Sequence, residues 1–163
     1  MHAHPDDDAG RAVDEVTSPD LDLVEYVVIS VPELSAAVGV ASALKQLVEL
    51  RQIQILDLVG VDVSVDGRLA AVEPELLSGL GVLDTVEGEV GGLLSEDDIA
   101  LAGGALAPGT SALIVVVEDR WAQHLSDAAR DGGGRIIGGE RIPRHRLEQS
   151  RRSRTRSQGG ERP

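Results

Sequence analysis

At 163 residues with 42% hydrophobic content, the chain suits one globular domain with tails and is short for two. Aromatic residues make up only 1%, so the core must be Val, Leu, Ile and Ala, without the stacking platform of single-stranded nucleic-acid binders. Cysteine is absent, which excludes disulfides, thiolate metal sites, iron–sulfur clusters and cysteine nucleophiles, and the net charge is −13.

That charge is segregated: −5 over residues 1–20, −13 over 21–143 and +5 over 144–163. Polar, charged ends around an apolar centre predict a folded domain over 21–143 between two disordered arms. The acidic arm, 1–20, carries the run Asp6-Asp7-Asp8 where a secretion signal needs positive charge. His2 and His4 near the amino terminus miss the third position that a copper or nickel motif requires, and read as a solvated tail. The longest apolar run, Ala112 to Val117, falls far short of the ~20 residues that cross a bilayer, so a cytoplasmic location is expected.

Val24 to Val31 is β-branched and ends at Pro32, which predicts a central strand. Pro32-Glu33 then opens a helix over 33–50, with Ala37, Val40, Leu44, Leu47 and Val48 on one face. From Ile53 to Val65 every second residue is apolar, except that Asp57 falls in the apolar phase. Asp66-Gly67 predicts a hairpin turn, with a short return through Leu69 to Val72.

Residues 75–107 read as a helical insert of two short helices. Leu76, Leu80, Leu83, Val86 and Val90 recur at helical spacing, and Ser95 with Asp98 forms a capping box for the second helix. Ala112–Val117 is another buried strand. A helix capped at Asp119 and running through Trp121, His124, Leu125 and Ala128 should end at Gly132-Gly133-Gly134, and Arg135–Ile142 should be the last strand. The order βαββαβ, with the insert before the third core strand, is the ferredoxin-like α+β plan. It places both long helices on one sheet face and leaves the other to be covered by the insert or by a second copy.

Residues 144–163 form an Arg-rich tail with seven Arg and two Glu. Across the chain, 14 Arg stand against one Lys, with no Asn and no Phe, the signature of GC-rich coding in a high-GC bacterium. Codon usage therefore accounts for much of the tail's Arg, and the acidic body opposes a polyanion. No specific nucleic-acid partner is expected.

Several segments resemble a family of small bacterial domains of unknown function: Val24 to Val28, Ile55 to Val59, Glu87 to Ala100 and Arg135 to Pro143. The likeness spans about residues 22 to 147 and is most specific between Glu87 and Ala100. The wider group includes proteins labelled stress-responsive, dimeric or membrane-associated. The resemblance implies a ferredoxin-like fold with a glycine-containing helical insert, and it carries over no catalytic residues.

Asp57 is the sharpest site candidate, because a carboxylate inside a strand is costly unless paired or hydrogen-bonded. It reads as a ligand-binding or proton-transfer group, as the partner of an Arg such as Arg51 or Arg141, or as a residue swung outward by a bulge. The acids Glu87, Glu89, Glu96, Asp97 and Asp98 lack the alternation of a cation loop, and the last three are explained by helix capping. Trp121 and His124 share a helical spacing that suits packing. Gly88, Gly91 and Gly92 would let helices approach closely, and Gly138-Gly139 suggests a bulge or a close backbone; all five are interface candidates.

No nucleophile–base pair, phosphate-binding glycine motif or metal set stands out, and no cofactor is expected. The chain is thus expected to be a non-enzymatic, homo-oligomerising interaction domain. The alternatives are a small-ligand sensor binding between sheet and insert near Asp57, and a protein in peripheral membrane contact through the insert and basic tail.

Overall fold

A computed structural model describes residues 18–72, 74–81, 84, 86 and 92–149. Its four strands are β1 (Val24–Val31), β2 (Ile53–Val63), β3 (Leu69–Ala71) and β4 (Ser111–Asp119), in one antiparallel sheet of order β1-β4-β2-β3. The most apolar segment, β4, lies between the two other long strands and is buried almost end to end. A strand covered on both faces reads as a continuous apolar run, which is how 112–117 reads. β1 and β2 are each antiparallel to β4, hence parallel to one another, with β4 inserted between them. This α+β arrangement is a split βαβ unit, its crossover made by a 3-10 turn at Leu34–Ala37 and by α1 (Val38–Glu49).

β2 corrects the expected one-faced alternation. Ile55 pairs with Val117 and Asp57 with Val116, so Leu56 is an extra residue and the ladder carries a bulge. One extra residue exchanges the faces of everything that follows. Ile53, Ile55 and Leu58 therefore join the core beneath α1, while Val59 and Val61 join a second core on the opposite face. Val65 lies beyond the strand and is exposed.

Both faces are covered by the chain itself. Ala37, Ala41 and Leu44 cover the first face, where α2 (Pro74–Ser78) adds the fully buried Leu77. On the second, α3 (Glu96–Gly103) brings Ile99 and Ala102, with Leu94 and Leu106 beside them, over Val59, Val61, Ala112 and Ile114. The capping box predicted at Ser95 and Asp98 forms in both directions. The described parts of the insert thus lie on both faces, Leu77, Leu80 and Val86 on the first and Leu94, Ile99 and Ala102 on the second. Val86, expected in a helix, makes a parallel bridge to Ile55, and β3 takes Val61–Val63 further along. The hairpin at Asp66-Gly67 forms as expected, Gly67 at positive φ.

The C-terminal third departs from the expected plan. β4 runs into a 3-10 turn, Arg120–Ala122, and α4 (Gln123–Asp131), without a side-chain cap from Asp119. α4 packs on the 3-10 turn Leu21–Leu23, and none of its residues belongs to either buried core. The expected last strand, Arg135–Ile142, is irregular and pairs with no strand among the described residues. Ile137 and Ile142 are exposed, Ile136 is half-buried, and Gly138-Gly139 weakens strand formation between Ile137 and Ile142. The complete βαββαβ order is therefore not formed by the described residues. Residues 144–149, expected to begin the disordered tail, form a short exposed helix with an Arg144–Glu148 ion pair. At the other end the folded part begins before residue 21, since the Asp20 side chain is buried. Residues 1–17 and 150–163 lie outside the described residues.

Glycine matters where layers touch. A Cβ on Gly60 would stand 2.8 Å from a methyl of Leu77 and 3.2 Å from Cβ of Val72, and one on Gly103 would stand 2.6 Å from a methyl of Leu69. Gly39, on the exposed side of α1, has open space around it. Gly60→Ala should cost about 1–3 kcal/mol through overpacking, whereas Gly39→Ala should gain about 0.4–1 kcal/mol. Urea denaturation of the two variants against the parent checks both signs.

Candidate functional site

The polar groups that the fold gathers lie in two places, at the β2 bulge and at the end of the sheet beneath α4. At the bulge, the extra residue directs Asp57 to the second face, and its side chain is fully buried. Its Oδ2 accepts from the backbone N–H of Leu93 at 2.8 Å and of Leu94 at 3.3 Å, and Oδ1 accepts from the N–H of Leu58 at 2.8 Å. The bulge anticipated from the sequence exists, but it turns Asp57 inward. Of the expected Arg partners, Arg51 lines a different groove and Arg141 is exposed. The carboxylate is engaged by the segment leading into α3, and none of its surface is left for a diffusing ligand.

The second place is built on Asp20. Its carboxylate accepts from Ser126 Oγ at 2.8 Å, from the N–H of Asp22 at 3.1 Å, from Gln123 Nε2 at 3.4 Å and from the Arg130 guanidinium. Arg130 also reaches Asp22 at 3.2 Å, and Arg135 donates to the same Asp22. Alongside, Glu118 accepts from the N–H of Asp20 at 2.7 Å and from Arg120 Nε at 3.3 Å, while Arg120 also donates to Gln54. The Arg130 hydrogen bond, aided by Ser126, holds the Asp20 carboxyl far below the usual range, and Asp20 raises Arg130 in turn. Above this network lies an open groove of about 890 Å³ whose walls include Arg51, Arg120, Arg130 and His124.

The remaining candidates are dispersed. Gly88 and Gly91, with Glu87 and Glu89, lie outside the described residues. Gly92 is exposed, immediately before the amides that bind Asp57. Gly138 and Gly139 line a smaller cavity of about 400 Å³ with Trp121, Leu125 and Val24, and a Cβ on either would meet nothing within 4 Å. No close backbone requires glycine there. Trp121 lines that cavity and His124 the larger groove. Asp98 caps α3 by accepting from Ser95, which keeps its carboxyl below the usual value. Among the described residues no cluster of three potential metal ligands occurs, and no helix is long and apolar enough to cross a membrane.

The Asp20 network escaped the sequence reading because its members are separated by about a hundred positions, and nothing in the spacing links them. Comparison with known proteins adds no relative: no family model, curated protein or solved structure matches this chain.

Two outcomes follow from these geometries. Asp57→Ala leaves buried amide donors unsatisfied and opens a small void, so it should cost about 2–5 kcal/mol in chemical denaturation, with Asp57→Asn costing less. Because Asp20 is held below its unfolded value, its contribution is complete above pH ~4 and is lost as pH falls through the folded value. Thermal melts of the parent should therefore decline below pH ~4 more steeply than those of Asp20→Ala.

Proposed function

We propose that this chain is a non-enzymatic interaction domain that assembles with a second copy along the outer edge of β1. The observation that carries this reading is the unguarded edge itself. β1 ends the sheet, and no strand among the described residues pairs with its outer side. Its sequence, Val24 to Val31, has no Lys, no Pro and no bulge to deter a further strand, and its one charge is Glu25. In the ferredoxin-like plan the last strand would lie beside β1; the irregular 134–143 segment forms no strand there, although Ile136, Gly138 and Gly139 approach Val24 and Glu25 at its start. A second copy would supply in trans the neighbour that the chain lacks in cis.

The surroundings favour a self-complementary contact. A twofold register centred on Val28 sets Glu25 opposite Val31, so the two acids stand apart. Half-exposed Tyr26, together with exposed Trp121 and Leu125 towards the start of the strand, supplies apolar surface. The acidic body opposes the contact at long range, so salt should strengthen it.

Size-exclusion chromatography with light scattering should report a dimer or larger species whose population rises between low and moderate salt. Tyr26→Lys should convert it to a monomer with unchanged far-ultraviolet dichroism. A clean monomer of the parent at about 100 μM in moderate salt would end the proposal.

A further inference from the structure

The groove beneath α4 has a charge arrangement that the β1 edge does not use. Of the seven basic residues between 21 and 143, three line this one groove: Arg51, Arg120 and Arg130. Three of their acidic partners, Asp20, Asp22 and Glu118, line the same groove with nearly buried side chains, and Arg130 also meets the exposed Asp127 at 3.8 Å. The side chains of Asp20, Asp22 and Glu118 are 7%, 9% and 6% exposed, against 38% for Arg120 and 43% for Arg130. The guanidiniums of Arg120 and Arg130 thus reach further into solvent than the three carboxylates that share the groove wall with them. On a strongly acidic domain this is the reverse of the average surface.

Arg51 adds an independent observation. It follows the last residues of α1 at φ +54°, a left-handed conformation that glycine adopts freely and a long side chain does not. Its N–H donates to Val48 O at 2.9 Å and the N–H of Gln52 to Leu47 O at 2.9 Å, the pair of bonds that closes a helix and for which glycine is the usual residue. The Arg51 side chain is exposed, lines the groove and forms no ion pair with the described residues. A strained position occupied by a guanidinium with no ion-pair partner among the described residues points to a role outside the chain's own stability.

We infer that this groove is a binding site for a small oxyanion, a phosphate or carboxylate group, held by the guanidiniums of Arg51 and Arg120 with His124 at its side. The planar fork of Arg suits both oxyanions, and the partner carboxylates fix the Arg120 and Arg130 forks before a ligand arrives. The site is contained in one protomer and does not depend on association.

The test is an amide chemical-shift titration of the full-length protein with inorganic phosphate and, separately, malonate, against sodium chloride at matched ionic strength. Saturable shifts at Arg51, Gln52, Arg120 and His124 are expected with an oxyanion and not with chloride. Saturation by phosphate alone, by malonate alone or by both supports the site and identifies which oxyanion it takes. Arg51→Gly should weaken binding at least about tenfold while the melting temperature holds or rises, because glycine relaxes the left-handed backbone. Loss of binding without loss of stability separates a ligand contact from a structural role. Non-saturable shifts with both oxyanions, an equal response to chloride, or unchanged affinity in Arg51→Gly would overturn the proposal. The monomeric Tyr26→Lys variant should bind like the parent, so a failure here and a failure of the β1-edge contact are distinguishable.

Discussion

A buried carboxylate receiving backbone amides is the interaction on which the rest of this structure depends. The sheet has two apolar faces, and a chain this short must cover both with few elements. It does so with one insert, whose Leu77, Leu80 and Val86 lie against the first core and whose Leu94, Ile99 and Ala102 lie against the second. At the Leu56 bulge the ladder is interrupted and one residue can be turned to the opposite face. Asp57 occupies that position and holds the amides of Leu93 and Leu94. A buried carboxylate with charge-assisted hydrogen bonds is tolerated where an unpaired one would not be.

Once the insert is pinned, covering the second face does not require another molecule. The association surface accordingly moves from the sheet's face to its edge. Edge strands are normally protected by charge, by proline or by covering elements, and β1 has little of these over its length. The reading of the chain as an association module rests on that edge, and the oxyanion groove rests on a separate set of side chains at the end of the sheet.

Much of the fold was legible in the sequence because it follows from local signals. The three long strands, the apolar face of α1, the Asp66-Gly67 turn and the Ser95 capping box depend on residues close in the chain, and the structure forms each of them. What could not be read depends on pairing between distant segments. A bulge changes the face of Val59 and Val61 without leaving a mark in their own alternation. Arg135–Ile142 carries enough Ile to resemble a strand, yet two glycines and three charges give it little to gain from pairing. Asp57 announced itself because a carboxylate in an apolar phase demands a reason, and among the described residues it is met by the amides of Leu58, Leu93 and Leu94. Asp20, Ser126 and Arg130 offered no such signal, being ordinary surface residues until the fold brings them together.

The most direct test of the central claim is native-state hydrogen exchange at the amides of Leu93 and Leu94. If Asp57 holds the insert, both amides should exchange slowly, with opening free energies close to those of the β4 amides. Exchange as fast as that of the exposed Asp66-Gly67 turn would mean that the carboxylate does not hold the insert, and the account of how this chain covers its sheet would be contradicted.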